Sequence, residues 1–355
     1  MSRTMSQPLI ESTVSRAVAS PGHGDCFTDH MVTAHWTPGT GWQMPQLGPL
    51  RHLSLHPGTI GLHYAQVIFE GFKAFVQQDG TIAVFRPDRN AARFARSAER
   101  LAMPPLPEEM FLSAVDTLVR ADAQWLLDNP RHALYLRPLM FGSEANLMLR
   151  ESEEYTFVLM AFLAGGFFGD TVEPVSVMVS REHARALPGG TGDVKCAANY
   201  GPALLAQREA RAAGCQQVVW LDPVERHWIE EMGGMNLFFV TADGLLTPRL
   251  TGTLLPGVTR DSLLTLAGRA GLTVREERLT IDDWRQGVAD GAILETFACG
   301  TAAVVTPVGR VHDVEGDFTI GTGAEGPVTT RLRTALLDVQ HGRAEAPVGW
   351  LRHVT

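Results

Sequence analysis

Twice in this chain, two apolar runs meet across an Asp-Gly pair. AFVQQDGTIAVF (74–85) turns at Asp79-Gly80, and MNLFFVTADGLLTP (235–248) turns at Asp243-Gly244. Such a pair between apolar segments predicts a β-hairpin, because glycine reaches the positive φ that tight turns demand. Other strand-like runs are LYLRPLMF (134–141), the first part of YTFVLMAFLAGGFF (155–168), PVSVMVS (174–180) and QQVVWLD (216–222). Helical patterns also occur. PDRNAARFARSAERLA (87–102) sets Phe94, Ala98 and Leu101 at helical spacing. GPALLAQREARAAG (201–214) and RDSLLTLAGRAG (260–271) read as helices stopped by glycine. Strands that come as hairpins, not strictly alternating with helices, predict an α+β fold and argue against a doubly wound nucleotide-binding sheet.

A chain of 355 residues exceeds what one core ordinarily serves, so two domains are expected. AGGFFGDTVEP (164–174) is rich in glycine and ends in proline, which suits a linker. The expected division is 1–164, a linker at 165–174, and 175–355. Hydrophobic content of 45% against 19% charged residues can fill such cores. The net charge of −9, with no basic cluster, argues against nucleic acid as a partner. Four cysteines without CxxC spacing read as reduced thiols of a cytoplasmic protein. Twelve histidines without HExxH predict no metal site. The longest apolar run is interrupted by glycine and is short for a membrane span. MSRTMSQPLIESTVSRAVAS has too few consecutive apolar residues for a signal peptide; it reads as a frayed terminus, with a Ser-rich transit peptide as the other reading.

The chemistry is sought first in GGTGDVKCAANYGPALLAQ (189–207), where a glycine-rich loop delivers Lys195 among small residues. It is not a P-loop, since Val194 precedes the lysine and Cys196 follows it. Two readings stay open on these residues: a solvated lysine, or a lysine that forms a Schiff base with a flat cofactor. The second needs a carboxylate for a ring nitrogen, donors for a phosphate and a donor for a substrate carboxylate. WIEEMGGMNLFF (228–239) offers Glu230 and Glu231, of which a strand aims one inward. LLPGVTRDSLLTLA (254–267) offers a Pro-Gly turn, Thr259 as a cap and a helix N-terminus. FACGTAAVV (297–305) adds Thr301 on a small-residue turn. Tyr135 and Arg137 share one strand face, and an inward arginine can hold a carboxylate.

Taken in order, FTDHM (27–31), LHYAQVIFEGFKAF (62–75), FRPDRNAARFARSAERL (85–101), ALYLRP (133–138), GGTGDVK (189–195), NYGPALLAQ (199–207), EEMGGMN (230–236), LLPGVTRDSLL (254–264) and FACGTAAVVTPV (297–308) resemble the branched-chain amino acid aminotransferases. These are pyridoxal-phosphate enzymes of fold type IV. The resemblance implies a two-domain α+β homodimer, smaller N-terminal and larger C-terminal domain, with the active site between them and completed by the partner subunit. It implies pyridoxal 5'-phosphate as cofactor and ping-pong transamination between leucine, isoleucine or valine and 2-oxoglutarate. It makes Lys195 the Schiff-base lysine. Glu231 is expected at the pyridine nitrogen and Tyr200 at the phenolic oxygen. Arg93, the amides of Val258 and Thr259, and Thr301 are expected at the phosphate, with Arg185 near the cofactor. The helical pattern alone does not separate Arg93 from Arg89, Arg96 and Arg100. Ala302 is expected to offer its amide to the substrate α-carboxylate. Phe27, Tyr64, Phe69, Tyr135 and Arg137 are expected around the substrate side chain, Arg137 taking the distal carboxylate of glutamate. Strict alternation puts Tyr64 and Phe69 on opposite faces, so a bend or bulge is expected between them.

Three positions depart from the resemblance. Gly234 stands where many relatives have threonine, and Phe167 where many have tyrosine. Ala303 and Thr306 stand where animal relatives carry a redox CxxC. The same fold hosts D-amino acid aminotransferases and an aminodeoxychorismate-lyase-like enzyme; the Tyr135–Arg137 pair and the ordered motifs argue against both. A non-catalytic binding protein on this scaffold is opposed by the joint presence of Lys195, Glu231, Tyr200 and Arg93.

Overall fold

The computed structural model describes residues 22–165 and 172–354. The N-terminal segment, Phe167 and most of the expected linker lie outside the described residues. The strands form two nine-stranded sheets. The first is antiparallel and is built from strands within 27–164. The chain's last strand, Leu351–Val354, returns to its edge against Ile82–Phe85. The second sheet takes its strands from 175–319 and is mixed: Val175–Ser180 runs parallel to two neighbours, and most other pairs are antiparallel.

Both Asp-Gly hairpins form. Phe72–Val76 pairs with Ile82–Phe85, and Met235–Thr241 with Gly244–Pro248. Gly80 and Gly244 have φ of +82° and +137°. A Cβ at Gly244 would stand 2.1 Å from the Thr273 carbonyl oxygen, so the parallel strand beside it also demands glycine. Tyr155–Ala164 is buried along almost its whole length, since it has Ala133–Gly142 on one side and Phe27–Thr37 on the other. A central strand covered on both faces reads as a continuous apolar run.

The helices cover the sheets. Pro87–Arg100 and Glu108–Ala121 lay Phe94, Phe111 and Leu118 on the first sheet. Val258–Arg269 and Pro327–Gln340 cover one face of the second, and Ile281–Asp290 buries Trp284 on the other. One core cluster joins the halves: Phe75, Phe85 and Trp350 pack with Phe238, Phe297, Leu263 and Leu336. Arg86 bridges the same joint. It donates to Ser262 Oγ at 2.8 Å and Asp261 Oδ2 at 2.6 Å, and its guanidinium lies 4.6 Å from the Trp350 ring centre.

Two local expectations are corrected. Tyr64 and Phe69 do not share a strand: Tyr64 ends the short helix Ile60–Tyr64, Ala65 turns at φ +54°, and Phe69 closes the strand Val67–Phe69. The direction change is a helix end, not a bulge. Thr259 does not cap its helix; Gly257 holds the cap position, with no side-chain cap bond.

Among the described residues, no helix is long and apolar enough to cross a membrane, and no group of three or more His, Cys, Asp or Glu side chains could hold a metal ion. Phe297 is fully buried in the joint core and stacks on Phe238 at 5.1 Å. Phe297→Ala is expected to destabilise the protein by about 3–5 kcal/mol. Urea unfolding of both proteins measures this.

Candidate active site

Three local devices carry Lys195 into the space between the sheets. Asn199, itself buried, ties the glycine-rich loop by donating to Thr191 O at 2.6 Å and Val194 O at 2.9 Å. Gly192 passes so near Thr253 that a Cβ would stand 2.4 Å from its carbonyl oxygen. The Lys195 backbone is held from the other half of the molecule: its N–H donates to Ser97 Oγ at 3.0 Å, and its carbonyl accepts from Phe69 N at 3.1 Å. The small residues around the lysine thus leave a cavity, not a packed surface.

That cavity has a volume of about 240 Å³. Its walls include Lys195, Tyr200, Phe69, Arg93, Tyr135 and Arg137, together with Val258, Thr259, Thr301 and Ala302. Lys195 Nζ lies 2.8 Å from Tyr200 Oη and 4.8 Å from the Phe69 ring centre. The Phe69 and Tyr200 rings are 4.9 Å apart.

Arg93 turns inward while Arg89, Arg96 and Arg100 are exposed. Burial separates the four arginines that the helical pattern does not. Arg93 Nε and an Nη atom grip Glu70 at 2.6 and 2.9 Å, and its other Nη donates to Pro256 O at 3.1 Å. Burial opposes the Glu70 charge, but Arg93 and Asn90 Nδ2 together hold its carboxyl below the usual range.

Glu230 and Glu231 are both buried, on opposite faces of Ile229–Met232. Glu230 accepts from Thr253 Oγ1. Glu231 accepts from the Leu255 amide at 2.5 Å and lies 3.2 Å from Arg185 Nε. Arg185 also donates to the Thr253 carbonyl. Burial pushes the Glu231 carboxyl up, partly offset by Arg185. Glu231 and Arg185 line a second cavity of about 200 Å³ that shares Tyr200, Gly234 and Leu255 with the first. A Cβ at Gly234 would approach nothing nearer than 3.8 Å, a Tyr200 ring atom, so the space beside Tyr200 would accept a side chain here.

Most of the residues expected from the sequence converge here, but Phe27 and Tyr64 do not reach the cavity walls. Phe27 meets Phe162 edge-on, and Tyr64 donates to Leu147 O at 2.8 Å. Glu70, Lys73 and His23 were not anticipated. Two charged residues within the apolar run VIFEGFKAFV were the available signal for the first two. His23 lies edge-on to Tyr135 and Phe162, and burial pushes its imidazole down to about 4. Nothing in its local sequence distinguishes it.

This constellation fits pyridoxal phosphate on its own chemistry. An amine sits beside a phenol. A helix N-terminus without a side-chain cap opens on the same space as Arg93 and Thr301, which suits a phosphate. A buried carboxylate stands behind. Arg137 keeps a buried Nε without a hydrogen-bond partner among the described residues, with its guanidinium 5.1 Å from the Phe69 ring centre.

Comparison with known proteins agrees. The amino-transferase class IV family model matches residues 67–311. A probable branched-chain-amino-acid aminotransferase of Streptomyces coelicolor is 50% identical over 97% of this chain and 95% of its own. The branched-chain-amino-acid aminotransferase of Mycolicibacterium smegmatis is 47% identical over 97% and 95%. Among solved structures, the branched-chain amino acid aminotransferase of Escherichia coli superposes with a TM-score of 0.73 at 29% identity, covering 92% of this chain and 99% of that one.

Removing the carboxylate from a buried ion pair strands the cation. Glu70→Ala should therefore destabilise the protein by about 3–5 kcal/mol. Because the folded carboxyl lies below its unfolded value, the stabilisation is present above the ordinary glutamate range and lost as pH falls through the folded value. Denaturant midpoints measured down the acid range check both statements.

Proposed function

Because this chain belongs to the class IV aminotransferases, we propose that it is a pyridoxal-phosphate-dependent branched-chain amino acid aminotransferase. It moves the amino group of L-leucine, L-isoleucine or L-valine to 2-oxoglutarate, reversibly and in two half-reactions. One observation carries the reading: a Lys195–Tyr200 pair, an uncapped helix N-terminus and Arg137 face one cavity.

Pyridoxal phosphate, when bound, supplies an electron sink that lets the substrate Cα–H bond ionise. Lys195 would hold the cofactor through its Nζ and, once freed, would move the substrate α-proton. Tyr200, within hydrogen-bond reach of that nitrogen, would orient it and would donate to the cofactor's phenolic oxygen. Glu231 receives the pyridine nitrogen. A protonated ring nitrogen would supply a positive charge next to a buried carboxylate, offsetting its burial. Arg93, kept in place by Glu70, joins Thr301 and the first amides of Val258–Arg269 at the phosphate. The Ala302 amide receives the substrate α-carboxylate.

Dual specificity follows from the walls. Phe69 and Tyr135 give aliphatic side chains an apolar surface, and Arg137 gives the distal carboxylate of glutamate a cation. Phe27 and Tyr64 join this pocket in a homodimer in which the partner subunit completes the site. The neighbouring exposed apolar side chains of Leu62, Leu147 and Met148 support such contact. All four cysteines are free and buried, which supports residence in the cytoplasm.

The protein loaded with pyridoxal phosphate should show a visible absorption band that L-leucine alone bleaches and 2-oxoglutarate restores. Lys195→Ala should abolish turnover. A band that ignores L-leucine but answers D-leucine would overturn the assignment. Arg137→Ala should raise KM for 2-oxoglutarate by about ten- to hundredfold, the scale of a hydrogen bond to a charged group, and change KM for leucine far less. Equal losses would contradict the dual reading.

A further inference from the structure

Lys73 projects from the strand Phe72–Val76 and is 5% exposed. Its Nζ donates to Ala302 O at 3.0 Å and makes no ion pair with any described carboxylate. An uncompensated buried ammonium is costly, so a residue that only had to pack here would serve better as methionine. His23 and His341 are both pushed down, burial first and the Lys73 charge among the further causes. Burial in turn pushes Lys73 down to about 8.

The carbonyl that Lys73 holds belongs to a turn with its own strain. Gly300 and Val304 face each other across it, and Val304 sits at φ +61°. A β-branched residue in the left-handed region is a genuine outlier, which persists only where the surroundings over-determine the backbone. The first sheet provides that restraint at two points. Gly71 O accepts from Thr301 Oγ1 at 2.9 Å, and Lys73 Nζ grips the next residue's carbonyl. The Ala302 N–H lies between these anchors and is the donor assigned above to the substrate α-carboxylate.

We infer that Lys73 is a positioning residue for the substrate α-carboxylate, acting through the Ala302 carbonyl and placing an unpaired positive charge one peptide unit behind that donor. The inference rests on the aminotransferase reading. It differs in kind from the role of Arg137, since every substrate carries an α-carboxylate and only glutamate and 2-oxoglutarate carry a second one.

The test compares Lys73→Met and Lys73→Arg with the wild type, each loaded with pyridoxal phosphate. Lys73→Met should raise KM for L-leucine and for 2-oxoglutarate by a common factor of at least about ten, with a smaller change in kcat. It should weaken binding of 4-methylpentanoate, which has leucine's side chain and a carboxylate but no amino group, by a similar factor in an absorbance titration. Lys73→Arg, which keeps a charged donor, should recover most of the loss. For Lys73→Met, KM values within about twofold of wild type, or a loss confined to 2-oxoglutarate, would overturn the inference. If Lys73→Met does not hold the cofactor, Lys73→Gln decides: a common rise in KM for both substrates supports the inference, and an absent or unequal rise overturns it. A wild type that shows no band or ignores leucine would instead remove the functional reading beneath it.

Discussion

The buried pair of Arg93 and Glu70 is the constraint around which the site is built. Glu70 lies between Phe69 and Gly71, two walls of the cavity, and Arg93 reaches it from the helix Pro87–Arg100 while touching Pro256 of the other half. An ion pair out of water is tolerated only with near-complete hydrogen bonding. Here Asn90 and the Gly71 amide take up the remaining carboxylate capacity. The geometry of both halves is therefore fixed at one place by an interaction that cannot relax cheaply, and the cavity inherits that precision.

The remaining charges divide the cavity into functional ends. Toward the helix N-terminus, backbone amides provide donors without a competing side-chain cap, while the Thr301 hydroxyl is committed to Gly71 O. Arg137 on the cavity wall and Lys73 behind Ala302 are cations without carboxylate partners among the described residues. Their influence on His23, added to its burial, keeps that ring neutral over the physiological range. Unpaired cations around a cavity make it receptive to anions. Behind the lysine, Glu230 and Glu231 are separated by the pleat of one strand. Each is given different donors, Thr253 Oγ1 for Glu230 and the Leu255 amide for Glu231.

Several elements were legible because their signals are local. Glycine at Gly80 and Gly244 marks turns, and an unbroken apolar run marks the doubly covered strand Tyr155–Ala164. The glycine-rich loop before Lys195 was legible as a pattern, since glycine and small residues clear space around one lysine. The end of the short helix at Tyr64 and the cap at Gly257 were not, because both depend on how the following backbone is held. The inward arginine among four was also not legible. A helical repeat assigns residues to faces, but a buried partner decides which charge a face can hide.

The sequence by itself determined the two hairpins, the α+β class and, through its ordered motifs, the aminotransferase family. Those depend on short-range conformational preference and on residue types in a recurring order. Only the tertiary structure decided that Glu70 fixes Arg93, that Lys73 reaches Ala302, and that the last strand closes the first sheet. The Lys73 contact alone joins residues 229 positions apart. No local pattern encodes such a pairing; it exists because burying one charge or carbonyl obliges the fold to bring its partner.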